Sequence, residues 1–82
     1  MRVKIRAFIL ESFMYGSAPE ELEDTASFLE TGIIDSTGIM EVVLFLEEEF
    51  EIKVEDNEML PENLDSVDSL CRFLEKKGAA ST

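Results

Sequence analysis

The chain has 82 residues and a formal net charge of −12, set by 19 acidic and 7 basic residues with no histidine. That length allows one small domain and leaves no room for both a core and a deep enclosed active site. The charge argues against nucleic acid, whose phosphates need a basic face, and against an anionic membrane surface, and it makes basic protein surfaces the natural partners.

Disorder is also disfavoured, because 45% of the residues are hydrophobic and six are phenylalanine. Cys71 is the single cysteine, so no internal disulfide can form, which suits a reducing cytoplasm. The N-terminus starts basic, with Arg2, Lys4 and Arg6, but "AFIL" is followed at once by Glu11, so no signal peptide is expected. No stretch reads as membrane-spanning, and no stable membrane insertion is expected.

Residues 2–14 read as a first helix: Val3, Ile5, Phe8, Ile9 and Phe13 recur close to helical spacing, and Gly16 and Pro19 end the run. A long connection over residues 15–35 follows. A loop of that length in a small domain is uncommon and is usually functional or anchored. Phe28, Leu29 and one of Ile33 or Ile34 are expected to plug the core.

The second helix is expected to start near Asp35 or Ser36 and to run to Phe50. At about 100° per residue, Ile39, Val42, Val43, Leu46 and Phe50 form the core stripe. Thr37, Met40, Glu41, Leu44, Glu47 and Glu48 fall on the other side. Met40 and Leu44 are thus apolar residues outside the stripe, and Phe45 also lies off it; a second apolar patch on a small monomer signals contact with something else. Asp56 can cap a single turn, and Pro61 steers Leu60 away from helical angles, so a short third helix or irregular turn is expected. Asp65 or Ser66 then caps a last helix over 67–77. Its buried stripe is Val67, Leu70, Cys71 and Leu74, with Lys76 and Lys77 at its negative end and Gly78 as the stop. No internal repeat or second domain is visible. The fold class is all-α, a small four-helix bundle of three main helices and one short one, with residues 1–78 as the domain and 79–82 as a flexible tail.

Among chemical motifs, a catalytic serine needs a base, and the chain has no histidine. "IDSTG" is not the G-x-S-x-G elbow. The acidic stretch "EDNEMLPENLD" lacks the alternation and the glycine of a calcium loop, so no dedicated metal site is expected. Cys71 lies on a buried stripe and reads as structural. Ser36 remains. Serine is a good N-cap, but Asp35 directly before it is an equally good one. If Asp35 caps, the Ser36 hydroxyl is free where backbone N–H groups and the helix dipole favour a phosphate. Gly38 costs about 1 kcal/mol in a helix relative to alanine. It is expected to leave open space beside that hydroxyl for a large partner. Ser36 thus reads as a residue that is acted upon.

Asp35-Ser36 within "GIIDS", the acidic amphipathic helix running into "LEEEFEIKVED", the long first loop and the total length together resemble an acyl carrier protein, over about residues 3 to 77. The resemblance implies a non-catalytic carrier without a metal, a monomer acting in the cytoplasm. It implies that Ser36 bears 4′-phosphopantetheine, transferred from coenzyme A by a separate phosphopantetheinyl transferase, whose thiol holds acyl groups as thioesters. Partners implied are that transferase, an acyl- or aminoacyl-adenylating ligase, and downstream transferases or synthases. The positions matching the family's apolar partner contacts are Thr37, Met40 and Leu44; those matching its acidic contacts are Asp35, Glu41, Glu47, Glu48 and Asp56. Fatty-acid carriers usually have leucine where Thr37 stands and aspartate where Gly38 stands. In this the chain looks more like stand-alone carriers of aminoacyl or specialised acyl groups, such as D-alanyl carriers. Phe45 has no assigned counterpart. The rival expectation is an acidic helical protein-interaction module without a prosthetic group.

Overall fold

The computed structural model describes residues 2–78; the C-terminal tail expected at 79–82 lies outside the described residues. Among those, five helices and two 3-10 turns occur, with no strand. Helix α1 (Arg2–Phe13) buries Ile5 and Ile9 completely. Gly16, in the left-handed region at φ 87°, turns the chain out of it. Val3, read above with the apolar spacing of α1, is 80% exposed, because it sits on the side of the helix away from Ile5 and Ile9.

The long connection is anchored as its length requires. A 3-10 turn (Pro19–Glu21) leads to buried Leu22, and a one-turn helix, α2 (Phe28–Thr31), follows, capped by Ser27 and closed by left-handed Gly32. This second short helix is absent from the four-helix expectation, because a single turn carries no periodicity to read. Phe28 and Ile34 are the plugs, both essentially fully buried, each contributing about 1.5–3 kcal/mol of burial. Leu29 is not a plug: it is 42% exposed, its side chain turned away from Phe28 by the helical turn.

Helix α3 (Ser36–Phe50) buries Val42, Val43 and Leu46, with Ile39 and Phe50 partly buried against them. Phe45 gains a role that its position on the wheel did not reveal. It stacks on Phe8 of α1, ring centroids 4.1 Å apart and planes 9° apart, and meets Phe50 edge-on. The α1–α3 seam is therefore aromatic. After α3 the chain turns at Glu51, a non-glycine residue at φ 54°. A 3-10 turn (Asp56–Glu58) follows, capped by Glu55 and not by Asp56: Glu55 and Glu58 exchange a reciprocal pair of side-chain-to-backbone bonds. Glu58 also accepts from Lys77 Nζ at 2.8 Å, and Lys77 together with the Glu55 N–H holds its carboxylate below the usual range.

Pro61 opens one-turn helix α4 (Pro61–Leu64), and Ser66 caps α5 (Val67–Lys76). Helix α5 packs against both α1 and α4. That double contact buries Phe73, at 3% exposure, in addition to the expected Val67, Leu70, Cys71 and Leu74. Around the start of α1, Arg2 bridges Asp24 and Asp68, while Arg6 bonds Asp24 and the Leu22 and Pro19 carbonyls. These contacts tie the long connection and α5 to α1. No helix among the described residues is long and apolar enough to cross a membrane.

Candidate functional site

Ser36 opens α3, and Asp35 is its cap. The Asp35 backbone is extended, and its Oδ1 accepts from the Gly38 N–H at 2.7 Å. One of the orphan amides of the first turn is thereby satisfied without any contribution from Ser36. Ser36 is exposed, with its hydroxyl carried on a fixed helical residue.

Gly38 is not beside open space, and the expectation on that point fails. It is buried, and a Cβ there would lie 2.7 Å from Ile34 Cγ2 and 3.0 Å from Phe13 Cε1. Two residues apart on a helix means about 200° of rotation, so Gly38 faces inward where Ser36 faces out. The missing side chain lets the first turn of α3 close onto Ile34 and Phe13, which fixes the platform under Ser36.

On the open side of Ser36 lies a mostly apolar cavity of about 270 Å³. Ser36, Ile39 and Met40 of α3 form one wall, and Met59, Leu60 and Leu64 from the α4 region form the other; Leu29 and Asp65 complete it. Leu29 and Leu60 are each 42% exposed, and Met40 is 50% exposed. Periodicity could not flag Leu29, Met59 or Leu60, which sit in or beside single turns. The one sequence signal was Pro61, which holds Leu60 extended at ψ 147°.

The residues matched to partner contacts do not all share one surface. Thr37, Met40, Glu41, Leu44 and Glu48 are exposed along α3, with Asp35 exposed at its mouth, and Leu44 is 55% exposed. Asp56 is exposed but lies on the 3-10 turn beyond the far end of α3. Glu47 is only partly exposed, and its Oε2 accepts from the Val54 N–H at 2.9 Å, so it holds the segment after α3 in place. Cys71 is buried, and burial pushes its thiol above the ordinary value. It is thus not a reactive group. Among the described residues, no group of three or more carboxylates and cysteines is arranged to hold a metal ion.

Residues 5–74 match the family described as "Phosphopantetheine attachment site". The acyl carrier protein of Bdellovibrio bacteriovorus is 35% identical over 77 residues, 94% of this chain and 94% of that protein. Those of Chlamydia muridarum and Wolinella succinogenes are 26% and 35% identical, over 89% and 70% of this chain and 90% and 72% of their own. A chain of the solved structure described as "Crystal structure of FAD-dependent dehydrogenase" superposes with a TM-score of 0.74 at 24% identity, covering 85% of this chain and 97% of that one, which shows a shared fold. The residues on this face fit a covalent phosphopantetheine group: an exposed alcohol that the cap does not use, on a rigid helix start, beside an apolar cavity. The protein is accordingly a non-catalytic carrier with covalent 4′-phosphopantetheine, and the chain belongs to the acyl carrier protein family.

Proposed function

We propose that the Ser36 hydroxyl is the attachment point of the phosphopantetheine arm and that the cargo is an apolar acyl group presented to partners across the exposed face of α3. The observation that carries this reading is the division of labour at the mouth of α3, where Asp35 caps and Ser36 stays exposed on the rim of the apolar cavity. A phosphodiester there sits near the first-turn amides and the positive end of the helix dipole. The arm supplies a terminal thiol that holds cargo as a thioester. Ile39, Met40, Met59, Leu60 and Leu64 offer that cargo an apolar surface beside its attachment point, and removal of apolar area from water favours its use. Gly38, one of the two departures that made the chain look like carriers of aminoacyl or specialised acyl groups, has a packing explanation in Ile34 and Phe13, so it says nothing about cargo.

Thr37, Met40 and Leu44 supply the apolar centre of a docking face. Asp35, Glu41 and Glu48 steer basic partners to it, with Asp56 extending the field and Glu47 bracing the helix end. The partners are the transferase that modifies Ser36, an acyl-adenylating ligase, and the enzymes that take the acyl group onward, all in the cytoplasm. The test is recovery of the protein from its native cells, digestion, and mass spectrometry of the peptide containing Ser36. A phosphopantetheine adduct bearing an apolar acyl group released by hydroxylamine is expected. An aminoacyl group on the arm contradicts the cargo assignment, and an unmodified peptide favours the interaction module without a prosthetic group.

A further inference from the structure

Asp65 joins two elements that face each other across the Ser36-side cavity. It sits at the end of α4, and its side chain leaves that helix to reach α2. Its Oδ1 accepts from the Leu29 N–H at 3.0 Å, its other oxygen accepts from the Ser27 hydroxyl, and its backbone carbonyl accepts from the Phe28 N–H at 2.7 Å. Ser27 in turn accepts from the Glu30 N–H at 3.1 Å. The opening amides of α2 are thus held by one residue from across the fold and by the cap that this residue grips. The consequence falls on Leu29. The same two residues, Leu29 and Asp65, form the closing wall of the cavity that begins at Ser36. Ser66 caps α5, which leaves the Asp65 carboxylate free for this cross-connection. Nothing in α2 alone, a single turn, would hold Leu29 in place.

We propose that Asp65 is a positioning residue: by clamping Ser27 and Leu29 it holds the Leu29 wall closed and sets how well the carrier shields an apolar thioester cargo. This rests on attachment at Ser36 and on the cavity receiving the cargo. Without the carboxylate, the Leu29 and Ser27 groups turn to water, and the Leu29 wall loosens and opens the cavity on that side, while Phe28 stays anchored by its burial and by the Asp65 backbone carbonyl. The effect grows with the length of cargo that the cavity receives, so a two-carbon cargo is indifferent to Asp65. An asparagine keeps the clamp, because its Oδ1 accepts from the Leu29 N–H and its Nδ2 donates to the Ser27 oxygen.

The experiment loads the full chain from acetyl-coenzyme A or octanoyl-coenzyme A with a broad-specificity phosphopantetheinyl transferase. Thioester cleavage by hydroxylamine is then followed by intact mass for wild type, Asp65→Ala, Asp65→Asn and Leu29→Ala. In wild type the octanoyl thioester is cleaved several-fold more slowly than the acetyl one. In Asp65→Ala that ratio falls toward one through faster octanoyl cleavage alone, and in Asp65→Asn it returns to near wild type. Leu29→Ala, a change at a half-exposed position that leaves the core intact, lowers the ratio as Asp65→Ala does and decides the matter if Asp65→Ala fails to fold. An unchanged ratio in folded Asp65→Ala or in Leu29→Ala overturns the proposal, as does a wild-type ratio of one. A wild-type chain that accepts no acyl-phosphopantetheine at all instead contradicts the attachment reading, and the two failures are distinguishable.

Discussion

Ser36 and Gly38 are two residues apart in the same turn, and the sequence treats them alike: small, polar or neutral, and next to a helix start. Their environments are opposite. That Ser36 could stay out of the cap was legible, because Asp35 directly before it is an equally good cap, and Asp35 is the residue that caps. The role of Gly38 was not, because the atoms that forbid a side chain there belong to Phe13 and Ile34, distant or non-periodic in sequence. Gly38→Ala should therefore destabilise the protein by about 1–3 kcal/mol, the cost of overpacking, in spite of the roughly 1 kcal/mol that alanine gains in helix propensity. Urea denaturation checks this, and a stabilised variant would show that Ile34 and Phe13 yield freely. Cys71 provides a second residue-scale outcome. Its thiol is buried and its pKa is raised by that burial, so its thiolate fraction at mildly alkaline pH is below that of an exposed thiol. Iodoacetamide on the native protein at that pH should add one carbamidomethyl group to the phosphopantetheinylated form and none to the unmodified form. Denaturant should expose Cys71 and add one more to each. Rapid alkylation of the native unmodified form would mean that α5 opens readily.

At the scale of elements, the three longer helices could be read because each repeats its apolar residues over several turns. α3 began at the expected residue, and of its expected stripe Val42, Val43 and Leu46 are buried while Ile39 and Phe50 are partly buried. α2 and α4 are single turns, below the length at which a period exists, and they supply much of the cavity wall. The burial of Phe73 and the stack of Phe8 on Phe45 depend on which helices are neighbours, and a single helix does not encode that. The division of α3 into a buried core face and an exposed face, the one proposed for docking, leads to a paired prediction. Leu44, 55% exposed, should cost less than about 1 kcal/mol when truncated to alanine, and Leu46, fully buried, should cost about 2–5 kcal/mol. Thermal or urea denaturation of Leu44→Ala and Leu46→Ala measures both. Equal losses would mean that Leu44 serves the fold and not recognition.

The whole molecule carries a net charge of −12 within principal extents of 31 × 26 × 19 Å. At 0.01 M salt the Debye length is about 30 Å, so every carboxylate feels the others, whereas at 0.15 M it is about 8 Å. Ion pairs such as Arg2–Asp68 and Lys4–Glu49 offset part of this, but their side chains remain partly exposed, and such pairs contribute about 0–1 kcal/mol each. Self-repulsion should dominate, and the melting temperature should rise between those two salt concentrations; a fall would show that the ion pairs around α1 outweigh it.

The charge and the exposed face of α3 have their meaning only if Ser36 is the residue on which partners act. The most direct measurement is the intact mass of wild type and Ser36→Ala after incubation with coenzyme A and a broad-specificity phosphopantetheinyl transferase, with far-UV circular dichroism as the control for folding. Wild type should gain one phosphopantetheinyl group. Ser36→Ala should gain none while keeping its helical signal, because Asp35 still caps α3. Modification of Ser36→Ala, or an unchanged mass in wild type, would contradict attachment at Ser36.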